Sequence, residues 1–459
     1  MFQERRLRKL SPAIRSVYNN GALDGNRRLL LEVRGRKYDQ IISLVEANQG
    51  QILRSINLLP VLAVEMPLAA LPEILDSFSV IKIWDDQPVN VQENQKFHNQ
   101  LPDVLLNGLR LEVPGTPAYG YTGKGVVVAV LDTGVYPHRD LTIPKNRIVG
   151  WYDLVNQKSV PYDDNGHGTE VAGIIAGNGN VSDGVTKGMA PDAWLVGIKI
   201  LDKDGKGWLS DIVAGIEWCV RSLPLFNIKI ISLPVMLANQ DRFCFDPFGR
   251  AVSIAWRKGI TVFTTVQTNA GFNATGFSQF MITVGNLNYQ QALTVNDSQF
   301  SQLDSNRTGV DTFAKPDLVA QGEKITSLNL DGGYTTCSGS TMATAMAVGG
   351  AALILQKWPS CKPERLKYLL TKKARNLGLG RNLQGSGLLN LDRVLGNSKN
   401  KVFSTQNIFP ANMNQIFPVV LKLLMQNSGE TGKYSNEFVM NLIGSLIKNW
   451  AVHPPDSLH

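Results

Sequence analysis

The sequence predicts an α/β protein in which a doubly wound, mostly parallel sheet follows a small α+β domain. Its 459 residues are too many for one ordinary hydrophobic core, so we expect two or more domains. Short strand and helix patterns alternate within residues 28–84. Beyond Gly123, continuous apolar runs that suit strands buried on both faces alternate with helical patterns.

The small domain has six predicted elements in the order strand, helix, strand, strand, helix, strand. Strands are predicted at residues 29–33, 51–56, 61–66 and 80–84, and helices at residues 38–47 and 68–78. This order is that of a ferredoxin-like unit. We therefore predict a ferredoxin-like α+β domain over residues 28–90.

The larger domain begins with its clearest strand signal, the apolar run of residues 126–131. Further strands are predicted at residues 195–200, 228–233, 261–266 and 280–284, and helices at residues 210–221 and 247–258. This alternation predicts a doubly wound α/β sheet over residues 119–395. The other segments are an N-terminal extension (1–27), a linker (91–118) and a C-terminal extension (396–459).

The composition argues against several kinds of function. The net charge of +8 is scattered, and the densest basic run, residues 5–9, lacks interleaved aromatic residues, so we expect no nucleic-acid partner. No segment has the length and apolarity of a membrane span. The four cysteines are widely spaced, which favours reduced thiols and a cytoplasmic location. We expect no cofactor. Asp163 and Asp164 are candidates for a structural calcium site, but we favour a plain polar loop there.

Three short motifs carry candidate catalytic side chains. Asp132 ends a predicted buried strand, where open α/β sheets place their sites. His167 lies between two glycines at the start of a predicted helix, which leaves its imidazole open to a bound peptide. Thr341 follows Ser340 at the start of another helix. Each motif is weak alone, but the order of acid, base and hydroxyl is that of one kind of catalytic triad. In such a triad the base takes the hydroxyl proton and the acid orients the imidazole.

These motifs resemble those of the subtilisin-like serine proteases, the subtilases of peptidase family S8. Thr341 stands where the family's Gly-Thr-Ser-Met-Ala segment has its nucleophilic serine. The resemblance runs from about residue 120 to residue 394, and includes residues 163–169, 188–191, 199–201, 215–219 and 315–320. It is closest to the intracellular branch of Gram-positive bacteria, which lacks a signal peptide. It implies hydrolysis of peptide bonds in a protein or peptide substrate.

The resemblance also implies roles for other residues. The small domain is similar to the propeptide that precedes subtilase catalytic domains, chaperones their folding and inhibits them from within the cleft. Asn269 matches the side chain that stabilises the oxyanion together with the N–H of the nucleophile. The residues that match the two edges of the substrate cleft are Gly205, Gly207 and Trp208 on one edge and Ser232, Leu233 and Pro234 on the other. Proline has no N–H, so one hydrogen bond to substrate should be missing.

Thr341 leaves two hypotheses about function. The first is an endopeptidase that is slow or restricted to self-processing, because a threonine hydroxyl is still nucleophilic but its branched side chain is stiff at χ1. Ser340 is a poor substitute, since adjacent helical residues point about 100° apart. The second hypothesis is a pseudoprotease that acts as a peptide-binding or regulatory module. It rests on changes clustered in the cleft, where Pro234 and Thr268 replace family glycines.

Overall fold

The structure is a computed structural model, which describes residues 2–91, 120–237, 246–266, 279–287 and 315–396. All of these residues fall in one compact unit. Most of the predicted linker and the C-terminal extension beyond residue 396 lie outside the described residues. The domain boundaries that we proposed from the sequence stay a prediction.

The N-terminal part contains a four-stranded antiparallel sheet with helices packed on one face. Its strands follow the order β2-β3-β1-β4, and the predicted succession of strands and helices is present. The helices are α1 (Phe2–Lys9), α2 (Pro12–Asn19), α3 (Tyr38–Ala47) and α4 (Leu71–Asp76), with 3₁₀ turns at Arg34–Arg36 and Leu68–Ala70. The strands are β1 (Asn26–Val33), β2 (Gln51–Ile56), β3 (Val61–Pro67) and β4 (Val80–Asp85), and a short strand β5 (Pro88–Val91) follows them.

The first 27 residues are more structured than the sequence suggested. Helices α1 and α2 bring Leu10 and Ile14, both fully buried, into the apolar core of the N-terminal sheet. Lys9 Nζ donates to the carbonyl oxygens of Leu75 and Ser77, each at 2.7 Å, at the end of α4. The basic run of residues 5–9 is therefore partly used to attach α1 to the sheet domain.

The α/β part is built on seven parallel strands, which confirms the predicted fold class. The strand order is β14-β13-β12-β10-β6-β8-β7, and a β15–β16 hairpin stands apart from it. The strands are β6 (Val127–Asp132), β7 (Ile148–Asp153), β8 (Trp194–Lys199), β9 (Lys206–Trp208), β10 (Ile228–Leu233), β11 (Val235–Leu237), β12 (Thr261–Thr265), β13 (Ile282–Asn286), β14 (Leu318–Ala320), β15 (Ile325–Leu328) and β16 (Tyr334–Cys337).

Helices cover this sheet and carry two of the candidate catalytic positions. The helices are α5 (Arg139–Thr142), α6 (His167–Ala176), α7 (Leu209–Arg221), α8 (Leu223–Phe226), α9 (Pro247–Arg257), α10 (Ser340–Lys357), α11 (Pro363–Lys372), α12 (Arg381–Gln384) and α13 (Leu391–Leu395). Helix α10 packs against α6 and against β10, β12, β13 and β14. Among the described residues, no helix combines the length and the apolarity that crossing a bilayer requires.

The N-terminal sheet and the α/β part share one apolar core. Leu30, Ile56 and Ala63 of the sheet belong to the same buried cluster as Ile212 of α7 and Val252 of α9. Burial of a large aliphatic side chain contributes roughly 1.5–3 kcal/mol. The N-terminal sheet is therefore attached to the α/β part by its second apolar face, while its first face packs on its own helices.

Candidate active site

Asp132 is the last residue of β6, a strand whose six residues are all buried. A parallel strand in the middle of a sheet needs apolar side chains on both faces, and the run before Asp132 supplies them. The carboxylate emerges at the carboxyl end of the sheet. Its Oδ1 accepts a hydrogen bond from the N–H of Thr133 at 2.7 Å and lies 2.7 Å from His167 Nδ1.

His167 begins helix α6, and glycines on both sides allow it to approach Asp132. Gly166 caps the helix with φ 109°, a conformation that residues with a Cβ rarely adopt. A Cβ on Gly168 would lie 2.1 Å from the carbonyl oxygen of Gly134 and 3.0 Å from Asp132 Cβ. Because both neighbours of His167 are glycines, the start of α6 can approach the end of β6 closely enough for the His167 ring to contact the Asp132 carboxylate.

The surroundings of His167 favour its charged form. Burial opposes protonation of the imidazole, but the nearby carboxylates of Asp132, Glu170 and Asp163 outweigh it and raise the pKa of His167 above 6.5. Because Nδ1 faces Asp132, the neutral ring carries its proton there and leaves Nε2 as the acceptor. Nε2 is buried and has no hydrogen-bond partner among the described residues.

Thr341 is the second residue of α10, at the amino end of the helix that packs on α6. Its side chain is buried, and its Oγ1 has no hydrogen-bond partner within the described parts of the chain. No hydrogen bond joins Thr341 Oγ1 to His167 Nε2. Ser340 is also buried, and its carbonyl oxygen accepts from Thr344 Oγ1 at 2.8 Å. His167 Nε2 and Thr341 Oγ1 are thus both buried and unpaired within the described residues, on two helices that pack against each other.

One predicted edge of the substrate cleft is occupied by the chain itself. Strand β5 lies between β9 and β11 and pairs with both in the antiparallel sense. Val89 is paired with Gly207, and the N–H of Val91 donates to the carbonyl oxygen of Gly205 at 2.9 Å. Trp208 pairs with Pro88, and the Arg28 guanidinium stacks 4.1 Å from its ring centre. Gly205, Gly207 and Trp208 therefore contact an extended segment of residues 88–91.

The residues predicted for the second edge lie just before the strand that pairs with β5. Ser232 and Leu233 lie inside β10, and both are fully buried. Pro234 separates β10 from β11, and the strand paired with β5 is Val235–Leu237. Asn269, the candidate oxyanion residue, lies outside the described residues.

The sequence motifs did not reveal a hydrogen-bonded network beside the acid. Asp163 accepts hydrogen bonds from Thr133 and from the backbone at the start of α6. Lys199 is fully buried, and its Nζ donates to the carbonyl oxygen of Thr133 at 2.6 Å and to Asp164 Oδ1 at 2.5 Å. Their positions next to the motifs were visible in the sequence, but both bind Thr133, which is 30 residues from Asp163 and 66 from Lys199, and only the fold brings these groups together.

Replacing Gly168 by alanine should destabilise the protein and separate His167 from Asp132. The added Cβ would overlap the carbonyl oxygen of Gly134, and overpacking of this kind costs about 1–3 kcal/mol. Urea unfolding measures the loss of stability. Gly333→Ala is the control, because its Cβ would meet its nearest neighbour at an ordinary 3.4 Å. Equal stability of the two variants would contradict the prediction.

Comparisons with known proteins agree with this geometry. Residues 123–396, more than half of the chain, match the model of the Subtilase family. The serine protease AprX of Bacillus subtilis (strain 168) is 40% identical over 273 residues, which are 54% of this chain and 61% of AprX. An alkaline protease of Alkalihalobacillus alcalophilus is 31% identical over 354 residues, which are 77% of this chain and 83% of that protein.

A solved structure supports the fold alone. The crystal structure of fervidolysin from Fervidobacterium pennivorans, a keratinolytic enzyme related to subtilisin, superposes with a TM-score of 0.60 at 19% identity. The superposition covers 81% of this chain and 61% of fervidolysin. Together with the match to the family model and the relative that is 31% identical, the paired Asp132 and His167 lead to one conclusion: the chain belongs to the subtilase family of serine proteases.

Proposed function

We propose that this chain is a subtilisin-like endopeptidase that hydrolyses peptide bonds slowly, with Thr341 as its nucleophile. One observation carries the proposal. His167 is hydrogen-bonded to Asp132 through Nδ1, while its Nε2 and Thr341 Oγ1 are both buried and lack other partners among the described residues. Leaving such groups unpaired is costly, so their retention favours a role in chemistry.

The proposed reaction follows from these positions. His167 Nε2 takes the proton of Thr341 Oγ1 as the oxygen attacks the carbonyl carbon of the scissile bond. Asp132 holds the ring and stabilises the imidazolium. His167 then gives the proton to the leaving amine, and a water molecule, activated in the same way, hydrolyses the acyl-threonine ester. We assign the stabilisation of the oxyanion to the N–H of Thr341 and to Asn269.

The slow rate in this proposal has a steric cause. The β-methyl group of threonine restricts χ1 at the start of a helix. Thr341 is buried and packed, so its side chain has little room to turn from the observed position toward His167. A serine would have no such restriction.

We further propose that residues 28–91 act as an inhibitory propeptide that occupies the cleft of the same chain. Strand β5 supports this, because it pairs with both β9 and β11 as an extended substrate would. A salt bridge and a hydrogen bond join the two parts as well: Arg54 contacts Asp211 at 2.7 Å, and Glu217 accepts from the backbone N–H of Asn57 at 3.1 Å. Self-processing would then cut the chain within residues 91–118.

A second candidate function is a pseudoprotease that binds peptides without cutting them. The observation that favours it is the absence of a hydrogen bond between Thr341 Oγ1 and His167 Nε2.

The cytoplasmic location, the intracellular branch of the family and the absence of cofactors stay predictions.

Intact mass and active-site labelling test the proposed function. We expect the purified chain to react with a fluorophosphonate probe, to cut a denatured protein and to show a cut within residues 91–118. All three should disappear in His167→Ala and Thr341→Ala. A chain that neither labels nor cuts, and that is unchanged by His167→Ala, would instead be a pseudoprotease.

A further inference from the structure

The carboxylate of Asp163 is the most densely bonded acid next to the catalytic residues. It lies in the loop before α6 and is 8% exposed. Its Oδ1 accepts from Thr133 Oγ1 at 2.9 Å and from the N–H groups of Asn165 and Gly166 at 3.0 Å each. Its Oδ2 accepts from the N–H and Oγ1 of Thr169 at 3.0 and 2.7 Å. Five donors therefore converge on one buried side chain.

The hydrogen bonds of Asp163 connect to the backbone next to Asp132 and to the backbone next to His167. Thr133 is the residue after Asp132, and its N–H donates to Asp132 Oδ1 at 2.7 Å. The hydroxyl of Thr133, which donates to Asp163, also accepts from the N–H of Gly168 at 3.0 Å. Gly168 follows His167 directly, so one carboxylate holds the backbone on either side of the contact between Asp132 and His167.

We propose that Asp163 is a positioning residue for the catalytic pair: through Thr133 and Thr169 it fixes the His167 ring against Asp132, and its negative charge stabilises the imidazolium. The positioning of the His167 ring is a property of the folded chain, whether or not the chain is active. The stabilisation of the imidazolium during the reaction rests on the proposed function.

The charge of Asp163 matters in addition to its shape. A carboxylate accepts at both oxygens, whereas an asparagine amide would accept at one atom and present N–H groups to the other donors. The charged groups around His167 are Asp132 on β6, Glu170 on α6 and Asp163 in the preceding loop, and all three favour the imidazolium against the effect of burial. Lys199 is the buried cation on the other side, bonded to the carbonyl oxygen of Thr133.

The test is the titration of His167 by NMR in the full-length chain, which needs no turnover. The chain has five histidines, and the signals that disappear in His167→Gln identify the ring. In Asp163→Asn we expect the pKa of His167 to fall, because a nearby negative charge is lost. We also expect the Nδ1–H signal to broaden. An unchanged pKa together with an unchanged signal would overturn the proposal.

Asp246→Asn is the matched control. Like Asp163, Asp246 accepts from a backbone N–H at the start of a helix, that of Gly249 at 2.6 Å, but α9 carries no catalytic residue. It should lose stability without changing the His167 titration. An equal change in both variants would show a general loss of structure and refute the specific role of Asp163.

Thr133→Val provides a second measurement in case Asp163→Asn does not fold. It removes the hydroxyl that links Asp163 to the start of α6 and keeps every charge. We expect the Nδ1–H signal of His167 to broaden, and a sharp, unshifted signal would contradict the positional link. In an active chain, Asp163→Asn should also lower kcat with little change in KM and shift the acid limb of kcat to lower pH. If no variant turns over, the proposed function fails while the NMR titration still decides the role of Asp163.

Discussion

Replacing Thr341 by serine should raise kcat/KM for a denatured protein substrate by roughly twofold to tenfold. In the structure Thr341 Oγ1 is buried and makes no hydrogen bond to His167 Nε2. Forcing a branched side chain off its preferred rotamer costs about 0.5–1.5 kcal/mol, and 1.4 kcal/mol corresponds to about tenfold in rate. Serine keeps the oxygen and loses the methyl group, so this cost is removed. A steady-state assay with a fluorescent casein measures the change.

Two variants control this experiment on the same helix. Thr341→Ala removes the oxygen and should abolish turnover. Thr344→Ser removes a methyl group one turn later, where the hydroxyl donates to the carbonyl oxygen of Ser340, and should leave the rate unchanged. A rate that is no faster in Thr341→Ser, or that survives in Thr341→Ala, would show that Thr341 is not the nucleophile.

The fold followed from the sequence where local pattern and burial agree. The apolar run before Asp132 predicted β6 because a strand in the middle of a parallel sheet is buried on both faces. Helices α1 and α2 were missed for the opposite reason. Few of their residues are fully buried: Ile14 of α2 and Leu10 between the two helices enter the core, and Leu7 and Tyr18 pack partly against it. Their attachment to the sheet depends on tertiary packing, which local sequence patterns do not show.

The residues of the candidate site also differ in how far the sequence alone predicted them. Asp132 and His167 lie within short motifs whose glycines are required by close approach of the backbone, so local sequence was sufficient. Asp163 and Lys199 both bind Thr133, which is distant from them in the chain, so this link depended on the fold. The strand that pairs with β5 opposite β9 is β11, beyond Pro234, and this register of pairing could not be read from the local sequence.

Strand β5 is the part of the proposed inhibitory arrangement that a single substitution should disrupt most. Val89 is 2% exposed and belongs to the apolar cluster that includes Leu209 and Leu233. Val89→Asp would place a carboxylate in this cluster without a partner, at an effective cost of several kcal/mol. The segment should therefore leave the cleft for a large fraction of the time.

In the Thr341→Ser background, Val89→Asp should accordingly raise peptide hydrolysis by about tenfold to a hundredfold, since each 1.4 kcal/mol lost from binding the cleft weakens it about tenfold. Asn90→Asp is the matched control, because it adds the same charge at the next residue, whose side chain is exposed. It should change the rate of peptide hydrolysis by less than about twofold. Limited proteolysis of residues 28–91 should increase only in Val89→Asp. Equal rates in the two variants would mean that β5 does not restrain the site, because the buried side of the strand is the only side on which its charge should matter.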